Sequence, residues 1–171
     1  MALITLAFVF SIAVGSFGTS AQHPTLEQLE EALNTRENFW HKRRTAPAGF
    51  TDCKFWRRTS LTGGNYSYEE WYRNRKAAWT KVQYVAQLER ASGGAIMKIR
   101  HRSQSVDKAT RYQLKFWLPS EHCAIFEDLS NGNSVQHVWD SNVEDTRNCD
   151  EVFFKTYGYA SYLLYRRSWC K

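Results

Sequence analysis

Hydrophobic and polar positions alternate through the middle of the chain. Val82, Tyr84, Ala86 and Leu88 interleave with Lys81, Gln83 and Gln87. Met97 and Ile99 interleave with Lys98, Arg100 and Arg102, and Tyr112, Leu114, Phe116 and Leu118 with Gln113 and Lys115. A period of two is the mark of strands that bury one face. Cys123 to Leu129 and Val135 to Trp139 read as two further strands, separated by the hairpin signal Ser130-Asn131-Gly132-Asn133. Many short antiparallel strands predict a sandwich or an up-and-down barrel.

The ends of the chain follow another period. Leu26, Leu29 and Leu33 recur at helical spacing behind Pro24 and the capping-box sequence Thr25-Leu26-Glu27-Gln28, which predicts a short amphipathic helix over 24–34. Asp150 to Tyr157 reads as a second short helix, with acidic residues at its start and Gly158 at its end. Tyr159 to Trp169 reads as a final extended segment.

Before all of these lies an apolar run, Leu3 to Val14, broken only by Thr5 and Ser11 and followed by Thr19-Ser20-Ala21. That is the pattern of a secretory signal peptide, residues 1–21, cut after Ala21. The run is too short to span roughly 30 Å of hydrocarbon, so no membrane anchor is expected. Residues 22–171 then form a single domain without a linker or internal repeat. All four cysteines, Cys53, Cys123, Cys149 and Cys170, lie in it. An even count in a secreted chain predicts two disulfides, and spacing alone leaves three connectivities open. Asn65-Tyr66-Ser67 is the one glycosylation sequon, beside the turn-like Gly63-Gly64.

Composition narrows the function. Aromatic residues make up 15% of the chain, including seven Trp and nine Tyr, and such residues fill cores and line small-ligand pockets alike. No G-x-S-x-G, H-E-x-x-H or glycine-rich phosphate loop is present, so no enzyme activity is expected. His23, His41, His101, His122 and His137 are scattered without ligand spacing, and neither a metal nor a cofactor is implied. The net charge is +6, concentrated in His41-Lys42-Arg43-Arg44, Lys54 to Arg58 and Trp71 to Lys76. In a secreted protein these stretches point to a solvated basic face, or to anionic glycans or lipid ligands, rather than to nucleic acid.

The order of the motifs resembles one family. The leucine-bearing helix, Asp52-Cys53-Lys54, Tyr112 to Phe116, Glu121 to Phe126, Val138-Trp139, Cys149-Asp150 with Phe153, and Tyr165 to Cys170 are laid out as in the tick salivary lipocalins. That family includes the histamine-binding proteins of tick saliva. The resemblance implies an all-β fold, an eight-stranded antiparallel up-and-down lipocalin barrel with short N-terminal and C-terminal helices. It also implies the pairs Cys53–Cys170 and Cys123–Cys149, and a monomer secreted in saliva that sequesters a small host inflammatory mediator.

By the resemblance the mediator is a biogenic amine such as histamine or serotonin. The family's amine pattern runs Cys-Asp-aliphatic, then Glu-Leu-aromatic. Here Ala124 stands in place of the Asp, and His137-Val138 in place of Glu-Leu. A buried ammonium needs a carboxylate, and Glu127, Asp128 and Asp140 are the nearby substitutes, Glu127 first. The losses also open two alternatives: an eicosanoid (leukotriene or thromboxane) whose carboxylate meets Arg, Lys, His or Tyr, or a protein- or glycan-binding module with a filled barrel. Strand parity nominates Tyr84, Tyr112, Phe116, Glu127, His137 and Trp139 as the inward-facing ligand residues.

Overall fold

The computed structural model describes residues 23–47, 51–73 and 77–171. The proposed signal peptide and its cleavage point lie outside them. The first element is helix α1, Leu26–Leu33, and its capping box is formed: the Thr25 hydroxyl accepts from the Gln28 amide, and the Gln28 side chain accepts from the Thr25 amide. Leu29, Ala32 and Leu33 make its buried face.

Eight strands follow: β1 Phe39–Arg44, β2 Cys53–Thr62, β3 Asn65–Arg73, β4 Thr80–Ala91, β5 Gly94–His101, β6 Thr110–Leu118, β7 Cys123–Asp128 and β8 Ser134–Trp139. Each pairs antiparallel with the next. β8 then returns to β1, with Trp40 opposite Val138 and His41 opposite His137, so the described strands close an up-and-down barrel. Closure leaves its eight strands no free edges. Gly94 makes the β4–β5 turn at a φ of +116°, close against the Pro24 carbonyl, and the Ala95 amide donates to that carbonyl. The start of α1 is thereby pinned to the barrel rim.

After β8 come helix α2, Arg147–Tyr157, a two-residue strand β9, Tyr162–Leu163, paired with β1, and a single helical turn α3, Arg167–Cys170. The segment from Tyr159 to Trp169 is therefore not one extended strand as expected. Its last turn winds so that Cys170 reaches Cys53, with a Cα–Cα distance of 5.4 Å. The second bridge, Cys123–Cys149, fastens α2 to β7. α2 begins three residues earlier than its acidic start predicts, because its cap is remote: the Glu121 carboxylate accepts from the Asn148 and Cys149 amides.

Two apolar clusters lie on either side of the sheet. The inner one joins α1 to Phe39, Trp56, Met97, Leu114, Trp117, Ala124 and Phe126. The outer one packs Trp40, Phe55, Ile125, Val138 and both disulfides beneath Val143, Phe153 and Tyr165.

Candidate ligand-binding site

The two ends of the barrel differ. At the α1 end the interior is solid. Trp117 donates from Nε1 to Glu31 at 2.9 Å, and Trp139 from Nε1 to the Ala32 carbonyl at 3.0 Å, so two inward tryptophans hold the helix as a plug. Towards the other end the interior is hollow, with a cavity of about 480 Å³ within the range of small-ligand sites. Its inner end is Trp56, Phe126, His41 and His137, and its walls carry Tyr68, Tyr84, Ile99 and Tyr112. Arg44, Lys54 and Glu70 also line it, and exposed Gln104 and Lys108 stand at its rim.

Burial sets the protonation of these groups. Loss of solvent raises the Tyr68 hydroxyl pKa well above the usual phenol value and pushes Tyr112 up to about 12, with nearby acidic groups adding to both. Both phenols therefore stay neutral hydrogen-bonding groups at physiological pH. His137 is 1% exposed, and desolvation lowers its pKa to about 3. His41 is shifted the same way, by burial first and then by the neighbouring His137, Lys54 and Arg44. Both imidazoles are neutral. Their ring centroids lie 4.0 Å apart, and the His137 ring is caged by Phe39, Trp56 and Phe126. The Val135 carbonyl is near enough to oppose the fall in the His137 pKa, yet neither His137 nitrogen has a hydrogen bond of proper geometry among the described residues.

Among the described residues lining the cavity, Glu70 is the one carboxylate. It is already engaged: Lys54 Nζ lies 2.9 Å from one oxygen, and Trp56 Nε1 donates to the other at 3.1 Å. Arg44 donates from Nη2 to the Pro47 carbonyl, and its buried Nε has no hydrogen-bond partner among the described residues. The lining thus holds Arg44, Lys54, Arg100 and Lys108 against one carboxylate, a positive balance within a low-dielectric wall.

Of the six residues nominated by strand parity, Tyr84, Tyr112 and His137 line this cavity and three do not. Phe116 is corrected by a bulge. The register of β6 against β7 shifts between Leu114 and Phe116, so Leu114 and Trp117 point inward and Phe116 joins the outer cluster. Glu127 is corrected by simple alternation: it follows inward Phe126, stands on the outer wall and lies 3.9 Å from Lys115. Trp139 does face inward, but at the plugged end, stacked on His122 and bonded to α1. The other two substitute carboxylates are engaged elsewhere. Asp128 organises the β7–β8 turn by accepting from Ser130 and Asn131, and Asp140 accepts from Trp40 Nε1 on the outer wall.

A closed, eight-stranded meander plugged by an N-terminal helix and flanked by a C-terminal one has one reading. This is a lipocalin fold. The lipocalin barrel of this chain is similar to that of japanin from Rhipicephalus appendiculatus, solved bound to cholesterol, with a TM-score of 0.56 and 10% sequence identity over 78% of this chain and 95% of japanin. No family model and no curated protein matches the sequence.

Sequence reasoning passed over His41, Arg44, Lys54, Trp56, Tyr68 and Glu70 as ligand residues. All six lie on β1 to β3, where the charged Arg44, Lys54 and Glu70 face inward while the aromatic Phe55 and Trp71 face outward. The available signal was parity within Lys54-Phe55-Trp56 and Tyr68-Glu69-Glu70-Trp71, read without assuming that charge points to solvent.

Proposed function

We propose that this chain is a secreted lipocalin that sequesters a small amphiphile with an anionic head, of the eicosanoid or fatty-acid class, without changing it chemically. The observation that carries the reading is the cavity's charge: Arg44, Arg100 and Lys108 line a partly aromatic interior in which the one carboxylate among the described residues, Glu70, is already paired with Lys54. The head group would sit between these cations near the mouth, and the chain would run inward over Tyr68, Tyr84, Tyr112 and Trp56. Japanin, whose barrel is similar, was solved bound to cholesterol, which supports a lipid ligand for a fold of this kind. The resemblance to tick salivary lipocalins supports a host inflammatory mediator as the ligand and saliva as the compartment.

A second reading rests on Glu70. An amine such as histamine or serotonin would take this carboxylate in place of Lys54. The cost is a cationic ligand entering a cationic site, which ranks this reading below the first. The filled-barrel alternative does not fit a cavity of about 480 Å³.

Calorimetric titration with a leukotriene, a thromboxane analogue, a long-chain fatty acid, cholesterol, histamine and serotonin tests the proposal. The carboxylate lipids are expected to bind and to weaken about tenfold or more in Lys54→Met and Arg44→Met. Binding of histamine alone, unaffected by either change, would overturn it in favour of the amine.

A further inference from the structure

The inner end of the cavity is not the apolar cul-de-sac that the tail of a fatty acid prefers. It carries His41 and His137, 7% and 1% exposed, facing each other across the β1–β8 seam. Neither nitrogen of His137, nor Nε2 of His41, has a hydrogen bond of proper geometry among the described residues, the Val135 carbonyl lying near His137 without meeting it. Their surroundings are otherwise aromatic: Trp56 lies 4.4 Å from His137 and 5.2 Å from His41, centroid to centroid, and Phe126 lies 5.2 Å from His137. Buried polar atoms are nearly always paired, and leaving one unpaired costs as much as a hydrogen bond contributes. A neutral imidazole has one N–H and one bare nitrogen, so two of them offer both a donor and an acceptor.

We propose that the His41–His137 pair is a second polar subsite, which selects ligands carrying a hydroxyl at the end remote from their anionic head. A hydroxyl donates to one imidazole nitrogen and accepts from an N–H, which a methyl end cannot do. An ammonium is disfavoured there, because Lys54 acts on both rings and Arg44 on His41 as well. The geometry also limits length. His41 and Arg44 are three residues apart on β1, so at roughly 3.3 Å per residue no more than about 10 Å of strand separates the subsite from Arg44, the head-group cation nearer the mouth, whereas Lys54 follows the Trp40–Phe55 pair and stands level with His41. That distance suits a hydroxyl some eight to ten bonds from the carboxylate.

The inference rests on the anionic-head reading above, and one experiment separates the two. The mature, oxidised protein is titrated with decanoate and with 10-hydroxydecanoate. In an apolar cul-de-sac a terminal hydroxyl loses affinity through desolvation. Here it is expected to gain about tenfold, the worth of one well-made buried hydrogen bond. The gain, read as the ratio of the two affinities within each variant, should vanish in His137→Phe and in His41→Phe, whatever either change does to decanoate itself. Decanoate binding with no preference for the hydroxy acid in the unmodified protein overturns the subsite and leaves the head-group reading standing. A preference that survives both substitutions also overturns it. Failure of both acids to bind, with unchanged titration in Lys54→Met, overturns both proposals. Since the decisive comparison uses two ligands on the unmodified protein, it holds even where a histidine variant fails to fold.

Discussion

Lys54 and Glu70 form an ion pair of 2.9 Å inside the barrel, on neighbouring strands and within the cavity lining. Trp56 holds the second carboxylate oxygen, so the pair is fixed from two sides. Its orientation decides which sign of charge the cavity presents to a ligand.

Changing either partner should therefore move ligand preference in opposite directions. Glu70→Gln keeps the Trp56 contact, frees Lys54 and is expected to tighten binding of a fatty acid several-fold, for about 1 kcal/mol of screened charge interaction. Lys54→Met bares the carboxylate and is expected to weaken the fatty acid and admit histamine. Titration of both variants with both ligands checks this. Parallel changes for the acid and the amine would show that the pair shapes the cavity without setting its charge.

The buried imidazoles predict a pH dependence of stability. Above about pH 6.5 His137 is neutral in both the folded and the unfolded chain, and its contribution is constant. Between that value and about 3 the unfolded chain takes up a proton that the folded chain refuses, so stability falls as pH falls. The slope is about 1.4 kcal/mol per pH unit for each such histidine, and His41 adds to it in the same direction. Urea unfolding at pH 7, 6 and 5 measures it. The double variant His41→Phe/His137→Phe should show a flatter profile over this range, and an unchanged slope would assign the loss to other groups.

The two bridges should differ in worth. Cys53–Cys170 closes 117 residues and Cys123–Cys149 closes 26. In the chain-entropy account their removal by paired Cys→Ser changes costs about 5 and about 3 kcal/mol. Guanidinium unfolding of the two double variants gives the order, and non-reducing peptide mapping gives the connectivity directly. A peptide joining Cys53 to Cys123 would contradict the arrangement.

Processing is separately testable. Asn65 begins β3, its side chain is exposed, and the adjacent Tyr66 takes the inward position. A secreted preparation is expected to begin at Gln22 and to carry one glycan at Asn65, which intact mass before and after deglycosylation would read. An N-terminus at Met1 would remove the argument for secretion, whereas an unmodified Asn65 would bear only on the sequon.

The sequence disclosed the wall of the barrel better than its contents. Strands β4 to β6 alternate plainly because one face meets core and the other is largely open to water, and α1 is announced by its capping box. β1 to β3 do not alternate in polarity, since a charged lining faces inward while α2, α3 and their tryptophan-rich surroundings cover the outside. Polarity then stops reporting direction, and Lys54 and Glu70 pass for surface residues. The bulges at Leu114/Phe116 and His41/Arg43 leave no trace in composition, yet each reverses every later side chain on its strand.

The bulge on β1 leads to a last prediction. It puts Lys42 and Arg43 both on the outer side, where they meet Asp150 at 3.2 Å each. The same carboxylate accepts from Gln136 at 2.7 Å and from Thr146 at 2.9 Å, and the Lys42 ammonium also donates to Thr146. Arg43 further lies 4.4 Å over the Phe154 ring of α2. Burial pulls the Lys42 pKa down, and Asp150 opposes that fall, so the ammonium persists because the carboxylate is there. Asp150→Ala leaves a buried cation unpaired and should cost about 3–5 kcal/mol, whereas Lys42→Met/Asp150→Leu removes both charges and should recover much of the loss. Urea unfolding of the single and double variants measures the difference. Equal destabilisation by both would mean that the network holds α2 through Arg43 and Gln136 rather than through Lys42. Since Asp150 lies outside the barrel wall, fatty-acid affinity should follow the folded fraction alone in every variant of this series.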